Sequence, residues 1–333
     1  MKNSFLAVLA IVSTVIGSGF ISGKEIVVFF SRFGNFSFLG IALAGILFFA
    51  LIFLLLQHSD RVLQRVNKSK FVFFINMLIC IVFTAAMFAA AINLLNWDKS
   101  ILSISAFCAI LCICAFVCRN GLSSLDKINF ALVPFMLFCL VVCLCSRAKP
   151  SAGFPQGVAG GAAGLYGALY VVLNIASSSV LIAGLGHKLN RRQKTQVAII
   201  AALVLSVILL FANIVLLQNP QAFDKDMPLL SLFTSWQHQL MSIVVFFGCT
   251  STLFSLVCTS SVTMRGLCKS EIGIFAICVL LPLIFSLLGF SFIVAYLYPL
   301  CSILGVFLLF FMLLPERSNA VSKWRDFLRR KKS

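Results

Sequence analysis

Residues 11–30 read IVSTVIGSGFISGKEIVVFF. The stretch opens as an ordinary membrane-spanning run and then departs from one. Gly17, Gly19 and Gly23 fall within seven residues, together with Ser18 and Ser22, and Lys24 and Glu25 follow at once. Each glycine costs a helix interior about 1 kcal/mol relative to alanine. An ionisable side chain in the bilayer core costs at least about 2.5 kcal/mol. A stretch that carries both predicts a broken helix whose freed backbone groups face a ligand cavity.

Composition sets the surroundings of that stretch. The chain has 333 residues, 61% hydrophobic and 11% charged, with a mean hydropathy of +1.10. These values describe a polytopic membrane protein, because a soluble core of this size needs far more surface charge. No small-residue cleavage site ends the first apolar run, so no cleavable signal peptide is expected and the first helix stays. The net charge of +17 is not read as a nucleic-acid signal, because nearly all the basic residues lie in short loops and the tail. The thirteen cysteines sit inside apolar runs and read as small buried hydrophobes. His58, His187 and His238 all fall near helix ends and make a poor ligand set.

A span needs about 20 apolar residues. Ten are expected, near 5–32, 36–57, 70–96, 101–118, 126–146, 163–186, 196–217, 229–260, 271–288 and 291–313. With the N-terminus inside, the cytoplasmic segments hold 20 of the 26 basic residues and the external ones five, leaving Lys24 within the first span. That asymmetry places both termini in the cytoplasm. The external loop 218–228, QNPQAFDKDMP, reads either as a solvated loop or as a lid over an outer vestibule. In the tail 315–333, Val321, Trp324, Phe327 and Leu328 share one helical face amid Arg325, Arg329, Arg330, Lys331 and Lys332. It reads as an interfacial helix on anionic lipid or as a plain stop signal.

Ten spans divide into five plus five, and the second five then start from the opposite side, which is the condition for an inverted repeat. The expected units are 1–146 and 163–314, with an external linker at 147–162 and the basic tail at 315–333. The sixth span should then echo the first. Asn174 and Ser177, Ser178 and Ser179 interrupt its apolar run near the centre, which predicts a second break there. Gly160, Gly161 and Gly164 read as close-packing residues.

A break at Gly17–Gly19 exposes N–H groups suited to a carboxylate and C=O groups suited to a cation. In the eighth span, Thr250, Ser251 and Thr252 offer hard hydroxyl oxygens, although such hydroxyls usually bond back within their own helix. Two readings stand for Glu25. It is a gate or proton-accepting group at the outer vestibule, with Lys24, or it belongs to a structural ion pair with Lys24 of a neighbouring turn or with Arg32. Tyr166, Tyr170, Tyr296, Tyr298 and Phe20 are candidate aromatic lids with core packing as the default, and Pro299 should kink the tenth span.

The stretch GSGFISGKEIVVFFSRFG resembles the first-helix signature of the YkvI-like membrane protein family, roughly G-[AST]-G-F-x-S-G-x-E-x-x-x-F-F-x-x-[FY]-G. Asp226, Pro228, Leu229 and Leu230 match its D-x-P-[LM]-L pattern. That family resembles the amino acid–polyamine–organocation superfamily, with the inverted repeat of the leucine-transporter fold. The resemblance implies a secondary transporter. Its substrate would lie against Gly17, Ser18, Gly19 and Phe20 and against Asn174, Ile175, Ala176, Ser177 and Ser178. A sodium ion would lie between Ser13 and Ile16 of the first helix and Phe247, Thr250 and Ser251 of the eighth. Lys24 departs from the neutral residue expected there. The fifth span has no lysine beyond Lys127, which favours sodium over proton coupling.

The expectation is therefore an all-α multi-pass protein of the cell membrane. It would carry an amino acid or a related amine or carboxylate by alternating access, in contact with lipid and without nucleic acid. The alternative is a non-transporting ligand sensor on the same fold. An enzyme is not expected, since no His/Asp/Glu cluster, HExxH or GxSxG sits at membrane depth. Apart from sodium, no cofactor is implied.

Overall fold

The computed structural model describes residues 2–95, 101–120, 122–147, 162–266 and 268–314. Most of the expected linker and all of the tail 315–333 lie outside them. Every regular element described is helical. The first span is three pieces: α1 (Lys2–Val15), α2 (Ser18–Ile21) and α3 (Lys24–Phe29). The next elements are α4 (Ser37–Gln57), α5 (Ser59–Lys68), α6 (Lys70–Leu94), α7 (Ile101–Asn120) and α8 (Leu122–Arg147). They are followed by α9 (Ala162–Gly186), α10 (Arg191–Leu217) and α11 (Ser235–Arg265). The last two are α12 (Glu271–Leu288) and α13 (Phe290–Leu313). Seven helices (α4, α6 and α9 to α13) are each long and apolar enough to cross a membrane.

The first helix breaks where the sequence runs out of side chains. The Ile16 N–H still bonds to Val12 O at 2.8 Å, but the Gly17 N–H leaves the helical ladder and turns back to the Val15 carbonyl at 3.0 Å. A second interruption falls at Gly23, whose φ of 84° is open to glycine at little cost. The sixth span corrects the expectation of a matching break, because α9 runs unbroken from Ala162 to Gly186. Its polar residues are satisfied within their own helix. Ser177 and Ser178 donate to the Asn174 carbonyl at 2.9 and 2.7 Å, and Ser179 donates to Ala176 at 2.8 Å. Asn174 Nδ2 donates to the Tyr170 carbonyl at 3.0 Å. No glycine falls between Gly167 and Gly184, so nothing in that stretch loosens the backbone.

The cytoplasmic loop expected at 58–69 is instead mostly helix α5, which lays Val62 and Val66 against the bundle. Its arginines reach the far end of α13: Arg61 donates to Leu313 O and Arg65 to Phe311 O. The eighth span starts six residues later than expected, at Ser235, because Pro228 and the tight turn Leu230–Leu232 hold the preceding chain in a compact loop. In α12 and α13 a wide π turn (Ala276–Leu280, Ile293–Leu297) precedes Pro282 and Pro299. Proline lacks an N–H and clashes with the carbonyl four residues back, and a wide turn upstream accommodates both defects.

α9 packs along α4 and α13, α11 packs along α6 and α8, and α1 lies between α8 and α10. Large apolar side chains point outward, among them Ile46, Phe138, Leu203, Ile284 and Leu287. That surface suits lipid and places the chain in contact with a bilayer.

The end of the first span is pinned by one buried amide. Ser31 Oγ donates to Asn213 Oδ1 at 2.8 Å, and Asn213 Nδ2 donates to Ser37 Oγ at 2.8 Å. All three residues are buried. Asn213→Leu should lower stability by about 1–3 kcal/mol by leaving the Ser31 hydroxyl without this partner, while Ser37 Oγ keeps its bond to the Gly34 carbonyl at 2.6 Å. Thermal unfolding in detergent micelles tests this, and an unchanged midpoint would show that the clamp contributes nothing.

Candidate functional site

The break brings Gly19 and Glu25 together. A side chain at Gly19 would collide with the Glu25 carboxyl, so that carboxyl rests directly on the Gly19 backbone. Glycine is required there for this close approach. The two residues are six apart, and the turn at Gly23 folds α3 back over α2 so that they meet. Glu25 is 2% exposed. It does not lie at an outer surface, and among the described residues it has no ion-pair partner, the pairs there being His187 with Asp60 and Arg265 with Glu271.

A tyrosine from the second half of the chain flanks this carboxyl. Tyr170 of α9 and Tyr298 of α13 are both fully buried. The Tyr170 hydroxyl lies beside the Glu25 carboxyl and beside Asn174. It is close enough to share hydrogen bonds with both, whereas the Tyr298 hydroxyl completes none among the described residues. Phe83 stacks on Tyr298 with ring centroids 4.5 Å apart, and Phe29, Phe30 and Phe48 surround Tyr170. Phe20 is buried as well.

Lys24 has a different role from its neighbour. Its Nζ donates to the backbone carbonyls of Lys225 at 2.9 Å and Phe223 at 3.4 Å. The loop 218–234 is therefore tied down over the break. The Leu229 N–H donates to the Ser22 carbonyl at 2.8 Å, and Leu229 sits against Gly23 with no space for a Cβ. Ser291 Oγ holds the loop from α13 through Asp226. Of the two readings of this loop, the folded lid describes its shape.

On the other side of the break, several of the residues expected around sodium take part in hydrogen bonds of the protein itself. The Ser13 carbonyl accepts from Thr252 Oγ1 at 2.8 Å. Thr250 Oγ1 donates back to Phe246 and Phe247 at 3.0 and 3.1 Å. The Phe247 ring faces Phe135 of α8. The face of α11 that meets the first span passes through Gly248, against Ile21 of α2, and Thr252, which bonds Ser13 of α1. No step is derived through a metal at these residues. Gly17 sits close to Thr252 Oγ1 and to Met87 of α6, which packs the break against α6 and α11. Of the residues expected on the sixth span, Asn174 stands beside Tyr170, while Ala176 packs on Gly305 of α13.

The sequence marked Tyr170 and Tyr298 as candidate aromatic lids with core packing as the default, and it passed over Asn213. The signal was a polar tip inside an otherwise apolar run. The fold and site together define a multi-pass, all-α membrane protein with a buried polar centre. No family model matches the chain. It is similar to the uncharacterized membrane protein YkvI of Bacillus subtilis (strain 168), 24% identical over 311 residues, which cover 87% of this chain and 89% of that protein.

Lys24→Met removes both hydrogen bonds to the loop. Backbone amide exchange across 222–230 should then speed up at least about tenfold, the factor that corresponds to losing about 1.4 kcal/mol of local closing energy. Equal exchange in the variant and the parent would mean that Lys24 does not hold the loop.

Proposed function

We propose that this protein is a secondary active transporter of a small organic solute, working by alternating access from the cell membrane. The observation that carries the proposal is the break in the first span. There a backbone without side chains, a buried carboxyl and the buried Tyr170 hydroxyl meet inside the bundle beneath a tied-down loop. Buried polar groups without partners are costly, and they are kept where a ligand completes them. A broken helix lining a central site is the arrangement that membrane carriers use for binding.

In this reading α1–α3 count as one span, and with α4 and α6 to α13 they make ten. The packing supports a five-plus-five repeat. α1 lies against α8 and α10, and its counterpart α9 lies against α13 and α4. Likewise α11 meets α8 and α7, while its counterpart α6 meets α13 and α12. Each contact has its partner under exchange of the two halves. Both termini are then cytoplasmic. The α1–α3 unit, with α4, α9 and α10, rocks against the remaining helices, and the loop 218–234 closes one side. The solute is bound and moved without chemistry, as a carrier does and an enzyme does not.

The test is uptake by the full chain in proteoliposomes under sodium and proton gradients. Gly19→Ala displaces the Glu25 carboxyl and should reduce uptake at least about tenfold, equivalent to about 1.4 kcal/mol of lost binding. Helix content by circular dichroism should stay at the parental level. Undiminished uptake in Gly19→Ala would remove the break from the mechanism. Binding without accumulation under any gradient would favour a ligand sensor instead.

A further inference from the structure

Away from the break, α1, α8 and α10 leave a groove between them. It offers about 820 Å³, within the about 300–1,000 Å³ of ordinary ligand pockets. Val8 and Val12 of α1, Pro134 and Leu137 of α8, and Ile200 and Val204 of α10 form its walls. Its rim faces outward, with Phe5, Ile199 and Ile200 each about half exposed on the apolar outer surface. Polar side chains stand at one end only, where Ser4, Gln193 and Gln196 line it. Gln193 accepts the Asn190 N–H on its Oε1 at 3.0 Å, which leaves it N–H donors to offer. Arg192 lies four residues before Gln196 and so shares its face of α10. With Arg191 and Lys194 it puts three cations into the first turn of that helix, where there is no acid. The helix dipole makes this a poor place for cations and a good one for an anion. Among the described residues none of the three has an ion-pair partner.

We infer that this groove binds an anionic phospholipid, with an acyl chain laid between α1 and α10 and the phosphate at the Arg192 end. The occupant must be apolar along most of its length and negative at one end, which is the chemistry of such a lipid. A water-soluble anion would leave the apolar walls uncovered, and a zwitterionic lipid would bring an ammonium toward the three cations. The dimensions agree. From Gln196 to Val204 the wall runs about 12 Å at the standard helical rise, close to the about 15 Å hydrocarbon depth of one leaflet. Basic residues beside a membrane contribute about 1 kcal/mol each toward anionic lipid, so three of them give a clear preference. α1 forms one wall and ends at the break, so the occupant bears on the piece next to that hinge. The site goes beyond the transport reading and stands without it.

The experiment uses the full chain in phosphatidylcholine nanodiscs doped with phosphatidylglycerol that carries a photoreactive diazirine at mid-chain. After irradiation, the labelled residues are mapped by mass spectrometry. Label should concentrate at 4–12 of α1 and 193–204 of α10. The same probe on phosphatidylcholine should label these segments at least about tenfold less. Unlabelled phosphatidylglycerol should compete, and glycerol phosphate should not. Arg191→Gln, Arg192→Gln and Lys194→Gln together should bring the two lipids to equal labelling. Ile200→Trp fills the groove and should cut its labelling at least about tenfold, the factor for about 1.4 kcal/mol of lost binding. Leu203→Trp, at an exposed position of the same helix outside the groove, should keep the parental pattern. Label spread evenly over outer positions such as Ile46 and Phe138 would overturn the inference. So would equal labelling by the two lipids in the parent, competition by glycerol phosphate, or a parental pattern in folded Ile200→Trp. If Ile200→Trp does not fold, the pattern and competition in the parent decide alone. None of these results depends on uptake, so failure of the transport reading leaves the lipid site standing.

Discussion

Glu25 turns its carboxyl inward onto the backbone of Gly19, in a bundle where water does not reach it. Leaving a charged group there costs several kcal/mol on its own, so the fold needs something to repay it. The interruption of the first helix follows from this contact. A continuous helix would carry Glu25 about 9 Å along the axis from Gly19, six residues at the standard rise, and the two could not touch. The turn at Gly23, with its left-handed backbone, brings them together.

The neighbouring structure is arranged to hold that fold-back. Leu229 fills the concave side of Gly23 and bonds its N–H to Ser22, and Lys24 ties the same loop from the other end of the turn. Thr252 takes the Ser13 carbonyl that the break leaves without a helical partner. Asn213 clamps Ser31 and Ser37, fixing where the first span hands over to α4. Thr252 and the Leu229 N–H thus satisfy carbonyls of Ser13 and Ser22 that a straight helix would have satisfied internally. Glu25 is held differently, with the Tyr170 hydroxyl beside its carboxyl.

Much of this was legible in the chain. The apolar runs announced the helices, and the cluster of Gly17, Gly19 and Gly23 announced the break, because glycine spacing acts locally. The sixth span misled for an equally local reason. Asn174 and the serines after it read as a disruption, yet their side chains bond to carbonyls three and four residues back and leave the helix intact. The depth of Glu25 was not legible. It depends on the hand of the turn at Gly23 and on Leu229, some two hundred positions away in sequence. The pairing of Ser13 with Thr252 rather than Thr250 depends on how α11 is rotated about its axis, which a uniformly apolar helix does not record.

The account turns on where the Glu25 carboxyl lies, and carboxyl footprinting measures that directly. The full chain in nanodiscs is treated with a water-soluble carbodiimide and a nucleophile, and each acid is followed by mass spectrometry over time. Asp60 and Glu271, with side chains 81% and 55% exposed, serve as internal standards. The account predicts that Glu25 reacts at least about a hundredfold more slowly than either, as expected if its site must open first at a cost of about 2.7 kcal/mol. Modification of Glu25 at the rate of Asp60 would place that carboxyl in water and contradict the central contact with Gly19.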